Sequence, residues 1–341
     1  MTQPRKIRIG LNGFGRIGRS ILRILMAGPS DFEVAFINDI EPLETCAYLF
    51  KYDSVFGPWA GEVEALDHGL RVGEQIIPFH ALPDISVMDL SDVDVVLECT
   101  GMAGTRPMAE RGLAAGAKHV LISGPSNEAD ITVVLGANDA DLKNQKIISN
   151  ASCTTNALAP LLAVLDREWG LNGGHMTTVH CYTGSQPTVD KPRANPARSR
   201  AAGLSMVPTT TSAHQLVGKV LPHLADRIEA RAIRVPTASV SCIDLVVDLD
   251  RAPNANTARA RLYEIATESP VLGWTDEPLV SSDLRMRPES LVLSGPELSV
   301  SQGGLLRVFG WYDNEWGFSN RMLDMARMIS QSGENECAQT G

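Results

Sequence analysis

Several things are scarce or missing, and each absence removes a class of function. Cysteine is sparse: six thiols, at positions 46, 99, 153, 181, 242 and 337, form no CxxC pair and no Cys/His ligand spacing. That pattern supports neither a disulfide framework nor a zinc site, and no metal is expected. Free thiols of this kind suit a reducing compartment. No apolar run approaches the ~18 residues of a membrane-spanning helix. The segment from Met1 to Lys6 is short and polar and runs straight into apolar Ile7 to Leu11 without a secretory core, so a soluble, cytoplasmic protein is expected. Positive charge is in deficit: 30 basic against 40 acidic side chains give a net charge of -10. A general nucleic-acid or anionic-membrane role therefore has no electrostatic footprint, and any phosphate recognition must be local. Internal repeats and low-complexity segments are absent.

What is there reads as an ordinary globular chain. The 341 residues, 44% hydrophobic and 21% charged, suffice for about two domains. Lys6 to Leu11 reads as a strand, Gly13 to Gly18 as a glycine turn, and Arg19 to Met26 as a helix. Strands are expected at Glu33 to Ile37, Val93 to Cys99 and His119 to Ser123, with a helix at Ala109 to Ala117 between the last two. This alternation predicts a Rossmann-type, doubly wound parallel sheet. From Ser152 the pattern changes to a helix through about Glu168, then strands near Met176 to Tyr182, Ile228 to Val235, Ser239 to Leu249 and Leu305 to Tyr312. A second, α+β domain on a mostly antiparallel sheet follows from that. Gly184 to Ala202 lacks periodicity and is long for a passive connection. Asn320 to Ser330 reads as a closing helix and Gln331 to Gly341 as a frayed tail. The boundaries are placed at 1–152 plus 317–341 for a dinucleotide-binding domain and 153–316 for a catalytic domain.

Two motifs carry chemistry. Gly13-Phe14-Gly15-Arg16-Ile17-Gly18 lies between the first strand and its helix, where glycines permit a tight turn and close approach of a pyrophosphate to free helix N–H groups. Asp39, 21 residues after Gly18 and at the end of the second strand, suits ribose hydroxyls and repels a 2′-phosphate, which selects NAD. The second motif is Ser149-Asn150-Ala151-Ser152-Cys153-Thr154-Thr155-Asn156. Ser152 is a candidate N-cap, which puts Cys153 in the first turn, where the helix dipole lowers a thiol pKa. Pro160 threatens a kink further along. His180, 27 residues after Cys153, is a candidate base for that thiol and hydrogen-bond donor to an oxyanion.

With these residues goes a family resemblance. Asn12 through Arg19, Ser149 through Asn156, Thr177-Thr178-Val179-His180, Pro208-Thr209-Thr210-Thr211, Arg234-Val235-Pro236-Thr237 and Trp311 through Gly317 resemble the phosphorylating glyceraldehyde-3-phosphate dehydrogenases, in the family's order and over nearly the whole chain. The resemblance implies a glycolytic homotetramer in which Cys153 attacks an aldehyde, hydride passes to NAD, and inorganic phosphate releases the acyl group from the thioester as an acyl phosphate. It implies Asn12, Gly13, Phe14, Gly15, Arg16, Ile17, Asp39, Ser123 and Asn314 as the NAD set, with Asn314 on the nicotinamide carboxamide. Thr183 and Arg234 match residues for the substrate's own phosphate; Ser152, Thr154, Arg198, Thr211 and Ser212 fall at the site for the attacking phosphate. Departures gather there: Gly184-Ser185 stand for a usual Asn-Asp, Pro187 for an arginine, Ser212 for a glycine, and Gln215 for a lysine. Lys191-Pro192 stand where NAD-preferring members carry Leu-Pro, so use of NADP as well stays open. Two alternatives remain. One is an erythrose-4-phosphate dehydrogenase, which tends to lose the threonine at position 183 and the triple-threonine run, both kept here. The other is a non-catalytic NAD-binding protein on the same fold.

Overall fold

The structure, a computed structural model, describes the backbone of residues 5–339 and the side chains of residues 5–331. It divides into two compact units, one of Met1–Val133, Ala140–Ala151 and Ser319–Gly341, the other of Val134–Asp139 and Ser152–Phe318.

The first unit is built on strands β1 (Ile7–Asn12), β2 (Phe32–Asn38), β5 (Val63–Leu66), β6 (Gly69–Val72), β7 (Gln75–His80), β8 (Val95–Glu98), β9 (His119–Ile122), β10 (Ile131–Thr132) and β11 (Ile147–Ser149), with β3 (Tyr52–Asp53) and β4 (Gly57–Pro58) forming a separate small hairpin. The sheet order is β10-β11-β9-β8-β1-β2-β7-β6-β5. It is parallel from β10 through β7 and antiparallel from β7 to β5. The strand order reverses at β1, where ligands of such sheets bind beyond the strand C-termini. Val95–Glu98, His119–Ile122 and Ile147–Ser149 are buried throughout, as a sheet covered on both faces requires. Helices α1 (Arg16–Met26), α2 (Leu43–Lys51) and α3 (Arg106–Ala114) belong to this unit.

Two boundaries differ from the sequence reading for local reasons. Helix α1 starts inside the glycine motif at Arg16, because Gly15 is its N-cap. Helix α3 lies three residues earlier than expected: it follows Thr105 as N-cap, has a proline in its first turn, and ends before Gly116 at φ 102. The β5-β6-β7 meander was not read from the sequence at all; its two-residue connections lack Asn-Gly signals.

The second unit holds an eight-stranded sheet of order β13-β14-β12-β15-β19-β17-β16, with β18 pairing β19. Its strands are β12 (Leu171–Cys181), β13 (Val207–Thr210), β14 (Ile228–Val235), β15 (Ser241–Leu249), β16 (Leu272–Thr275), β17 (Leu291–Ser294), β18 (Ser299–Val300) and β19 (Leu306–Tyr312). Pairing is antiparallel except for β12 with β14 and β16 with β17. Strand β13 carries Pro208 and accordingly sits at the sheet edge. Helix α4 (Cys153–Trp169) packs on β12, β15 and β17, and beside α5 (Ala213–Val220). Pro160 is buried within α4, which is helical on both sides of it. Helix α6 (Ala255–Glu268) packs on β16.

The last helix, α7 (Trp316–Gln339), is longer than the expected Asn320 to Ser330. Its start is fixed by Asp313, whose carboxylate accepts from the N–H groups of Glu315 and Trp316. The tail expected to fray from Gln331 is instead helical in its backbone through Gln339, its side chains after Gln331 lying outside the described residues. No helix among the described residues is long and apolar enough to cross a membrane.

Candidate active site

Two sets of sequence-predicted residues are assembled, one in each unit. In the first, β1 delivers the glycine turn. Gly13 has φ 97, and a Cβ there would lie 2.6 Å from the Cys99 carbonyl carbon; one at Gly18 would lie 2.2 Å from Gly13 O. Gly15 is different: nothing lies within 4 Å of a Cβ built there. The outer two glycines are thus needed for packing and the middle one leaves backbone open to a ligand. Gly15 caps α1 without a side-chain bond, so the helix N-terminus keeps its positive end for an anion. Asp39 accepts from Phe14 N at 2.6 Å through one oxygen and from Glu41 N at 3.0 Å through the other. The carboxylate is thereby fixed beside the turn with lone pairs left for hydroxyl donors. This cradle fits the pyrophosphate and ribose of a dinucleotide.

The other first-unit candidates serve that turn from within. Asn12 is buried, donating to Glu98 at 2.5 Å and accepting from Asn38 at 2.8 Å. Phe14 buries its ring against Phe50, so its backbone N–H, rather than its side chain, lines the turn. Arg16 pairs with Asp53 and lies over Phe56. Ile17 is half-buried in the first turn of α1, and Ser123 follows β9, its N–H on Glu98 O at 3.0 Å.

In the second unit Ser152 caps α4, its hydroxyl accepting from Thr155 N at 3.1 Å. Cys153 is the first helical residue. Just before the cap, Ala151 has φ 55, a left-handed backbone uncommon for a residue with a Cβ. Cys153 Sγ lies 3.6 Å from His180 Nε2. Strand β12 supplies that histidine by its alternation: Met176, Thr178 and His180 are all buried. The parallel register sets His180 beside Arg234 on β14.

The imidazole's other nitrogen has two neighbours that select opposite tautomers. Nδ1 lies 2.8 Å from Cys181 O, an acceptor, and 2.7 Å from Arg234 Nη1, a donor. Donation to the carbonyl puts the proton on Nδ1 and leaves Nε2 basic toward the thiol; donation from Arg234 does the reverse. Arg234 Nη1 also donates to Cys181 O at 2.9 Å.

Burial, and then the Arg234 charge, holds His180 down at about 4, against the hydrogen bond to Cys181. Burial pushes the Cys153 thiol up, against the pull of Arg234 and of hydrogen bonds from Thr154. The dipole expected at the helix start is thus opposed by desolvation, which pushes the Cys153 thiol up, while Arg234 and Thr154 pull it down.

The anion candidates divide. Thr154 turns inward, buried, with its hydroxyl 2.9 Å from Tyr312 Oη. Arg198 is exposed and donates to Thr209 Oγ1 at 2.6 Å and Thr210 Oγ1 at 3.0 Å. Thr211 Oγ1 accepts from Ala213 N at 3.3 Å, and exposed Ser212 caps α5 without a side-chain bond. Ser212 has φ -65, so its backbone makes no demand for the family's glycine. Thr183 and Ser185 share a hydroxyl hydrogen bond of 2.9 Å. Neither Arg198, Thr211, Ser212 nor Thr183 bonds to Cys153 or His180 among the described residues.

Sequence reasoning missed Tyr312, which sits between Thr154 and Thr178 hydroxyls at 2.9 and 2.8 Å and meets the His180 ring edge-on at 5.9 Å between centroids. Its signal was the alternation of β19, which puts Tyr312 on the buried face with Val308 and Gly310. Among the described residues no three His, Cys, Asp or Glu side chains are grouped to hold a metal.

Comparison with known proteins agrees with both halves. Residues 7–106 match the family model of the glyceraldehyde 3-phosphate dehydrogenase NAD binding domain, and residues 152–314 that of the C-terminal domain. The chain is 45% identical over 333 residues to the glyceraldehyde-3-phosphate dehydrogenase of Xanthobacter flavus, covering 96% of this chain and 99% of that one. It is 45% identical over 329 residues to the Pseudomonas aeruginosa enzyme of the same name (95% and 98%), and 40% over 333 residues to glyceraldehyde-3-phosphate dehydrogenase 1 of Bacillus subtilis (96% and 99%). With its glycine cradle and its cysteine–histidine pair in the two matched regions, the chain belongs to the glyceraldehyde-3-phosphate dehydrogenase family.

Proposed function

We propose that the protein oxidises glyceraldehyde 3-phosphate and transfers the acyl group to inorganic phosphate, with NAD as cofactor and Cys153 as nucleophile. The observation that carries this is the 3.6 Å approach of Cys153 Sγ to His180 Nε2 at the start of α4. When bound, NAD supplies the hydride acceptor. The chain's own residues do the rest. With Nδ1–H on Cys181 O, Nε2 takes the thiol proton as Sγ bonds to the aldehyde carbon, and returns it to the carbonyl oxygen to give a thiohemiacetal. As hydride leaves that carbon, Nε2 accepts the hydroxyl proton and the thioester forms. Phosphate oxygen then adds to the thioester carbon, the C–S bond breaks, and Cys153 leaves as thiolate to be reprotonated from His180. In each addition the Nε2–H stabilises the oxygen on which charge develops.

Arg234 and Thr183 hold the substrate's phosphate. Drawing the guanidinium toward that anion takes it from Nδ1 and leaves the tautomer in which Nε2 is a base. Ser152, Arg198, Thr211 and Ser212 receive the incoming phosphate, while Thr154 acts through the thiol. Asn314 takes the nicotinamide carboxamide, and Asp39 the ribose. The reading assigns residues 1–152 plus 317–341 to the dinucleotide-binding domain and 153–316 to the catalytic one. It includes a cytoplasmic homotetramer working in glycolysis.

Steady-state kinetics test the reading, with glyceraldehyde 3-phosphate against erythrose 4-phosphate, NAD against NADP, and phosphate against arsenate. Turnover should require an acyl acceptor and favour the three-carbon substrate and NAD. A larger kcat/KM for erythrose 4-phosphate would overturn the substrate. Full iodoacetate labelling of one thiol with activity intact would overturn the nucleophile.

A further inference from the structure

Cys181 follows His180, lies on the same strand end, and has no part in the mechanism above beyond its carbonyl. Its thiol is fully buried and donates to Asn314 Oδ1 at 3.1 Å. Its N–H donates to Ser241 Oγ at 3.2 Å, and Ser241 Oγ in turn donates to the same Asn314 Oδ1 at 3.3 Å. The antiparallel register that pairs Ser241 with Tyr312 brings Ser241 to the end of β19, two residues before Asn314. Ser241 is 1% exposed and Asn314 7%.

The chemistry of the two partners fixes the amide. A serine hydroxyl that already accepts the Cys181 N–H has its own hydrogen to place, and a buried thiol has only its S–H. Both hydrogens need an acceptor, and Oδ1 is the one they reach. The flipped amide would set NH2 against S–H and O–H and leave those hydrogens unpaired, a cost buried groups avoid. Burial pushes the Cys181 thiol up to about 12, so it stays protonated and remains a donor. Asn314 Nδ2 is left with no protein acceptor among the described residues.

We infer that Cys181 and Ser241 are positioning residues that clamp the Asn314 amide with its NH2 outward, so that it donates to a carbonyl oxygen, that of the nicotinamide carboxamide. The inference rests on the assignment of Asn314 to the cofactor made above. It extends Cys181 to both ends of the chemistry: its carbonyl orients the imidazole and its thiol orients the amide.

The test is NAD affinity by titration calorimetry on the whole protein, without turnover. Cys181→Ala and Ser241→Ala should each weaken NAD about 3- to 10-fold, the scale of one hydrogen bond. Cys181→Ser, which keeps a donor, should stay near wild type. In an Asn314→Ala background the Ser241→Ala effect should vanish, because a clamp has nothing to hold. The thionicotinamide analogue of NAD, whose sulfur is a poor acceptor, should bind about equally to wild type and Ser241→Ala. Full additivity of Ser241→Ala with Asn314→Ala, or an equal loss for the thio analogue, overturns the clamp while leaving Asn314 in place. An Asn314→Ala variant that binds NAD as tightly as wild type removes the assignment of Asn314 itself, and the clamp with it.

Discussion

The two units build their sites from different materials. In the first, the ligand cradle is mostly main chain: a glycine turn, the bare N-terminus of α1, and one carboxylate pinned by two backbone N–H groups. In the second it is side chains from separate strands and a helix: Cys153 of α4, His180 of β12, Arg234 of β14 and Tyr312 of β19. A backbone cradle binds by shape and dipole and is encoded within a few adjacent residues. A side-chain constellation does proton chemistry and exists only once the strand register is set.

This contrast orders the consequences of substitution. The largest effect is expected in the second unit, where His180→Asn should lower kcat about 10²- to 10⁴-fold, the range for loss of a general base, with NAD affinity unchanged; calorimetry beside steady-state rates checks both halves. In the first unit, Asp39→Ala should raise the KM for NAD about tenfold, worth one hydrogen-bonded ribose contact, and leave the KM for the aldehyde alone. A shift in the aldehyde KM as large as that for NAD would erase the distinction.

The last comparison reads on stability rather than on turnover and concerns a feature the units share. His119 of the first unit is held down at about 4, by burial first and the Lys146 amine second, and His180 of the second unit also at about 4. Because both pKa values are depressed on folding, the unfolded chain binds more protons between pH 6.5 and about 4, and stability falls as pH falls through that window. Each histidine contributes a slope of about 1.4 kcal/mol per pH unit. Denaturant melts across that window should show His119→Gln with a shallower acid limb than wild type. An unchanged slope would mean that folding does not depress the His119 pKa.

How far each site was legible follows from the same contrast. Gly13, Gly15, Gly18 and Asp39 were readable because turn, cap and strand end are neighbours in sequence. Ser152 and Cys153 were readable because an N-cap is a local signal. Tyr312 and Ser241 were not, since their meaning depends on β15, β12 and β19 lying side by side. Thr154 was named by its motif, but its contact with Tyr312 was not legible, since it depends on helical phase and on β19. Elements without a periodic signal of their own, such as β13 with its proline and the β5-β6-β7 meander, were missed because tertiary pairing rather than local propensity holds them.

The three hydroxyls of Thr154, Tyr312 and Thr178 form a continuous buried row, and Thr154 also bonds to the Cys153 thiol. Each hydroxyl can donate or accept, so the whole row reverses its sense by rotating light hydrogens, with every heavy atom still. In the proposed reaction, a charge that appears on sulfur during one step and disappears in the next meets dipoles that turn to follow it. The proposed nucleophile thus carries a private dielectric of three buried O–H rotors, able to answer a changing charge beside them.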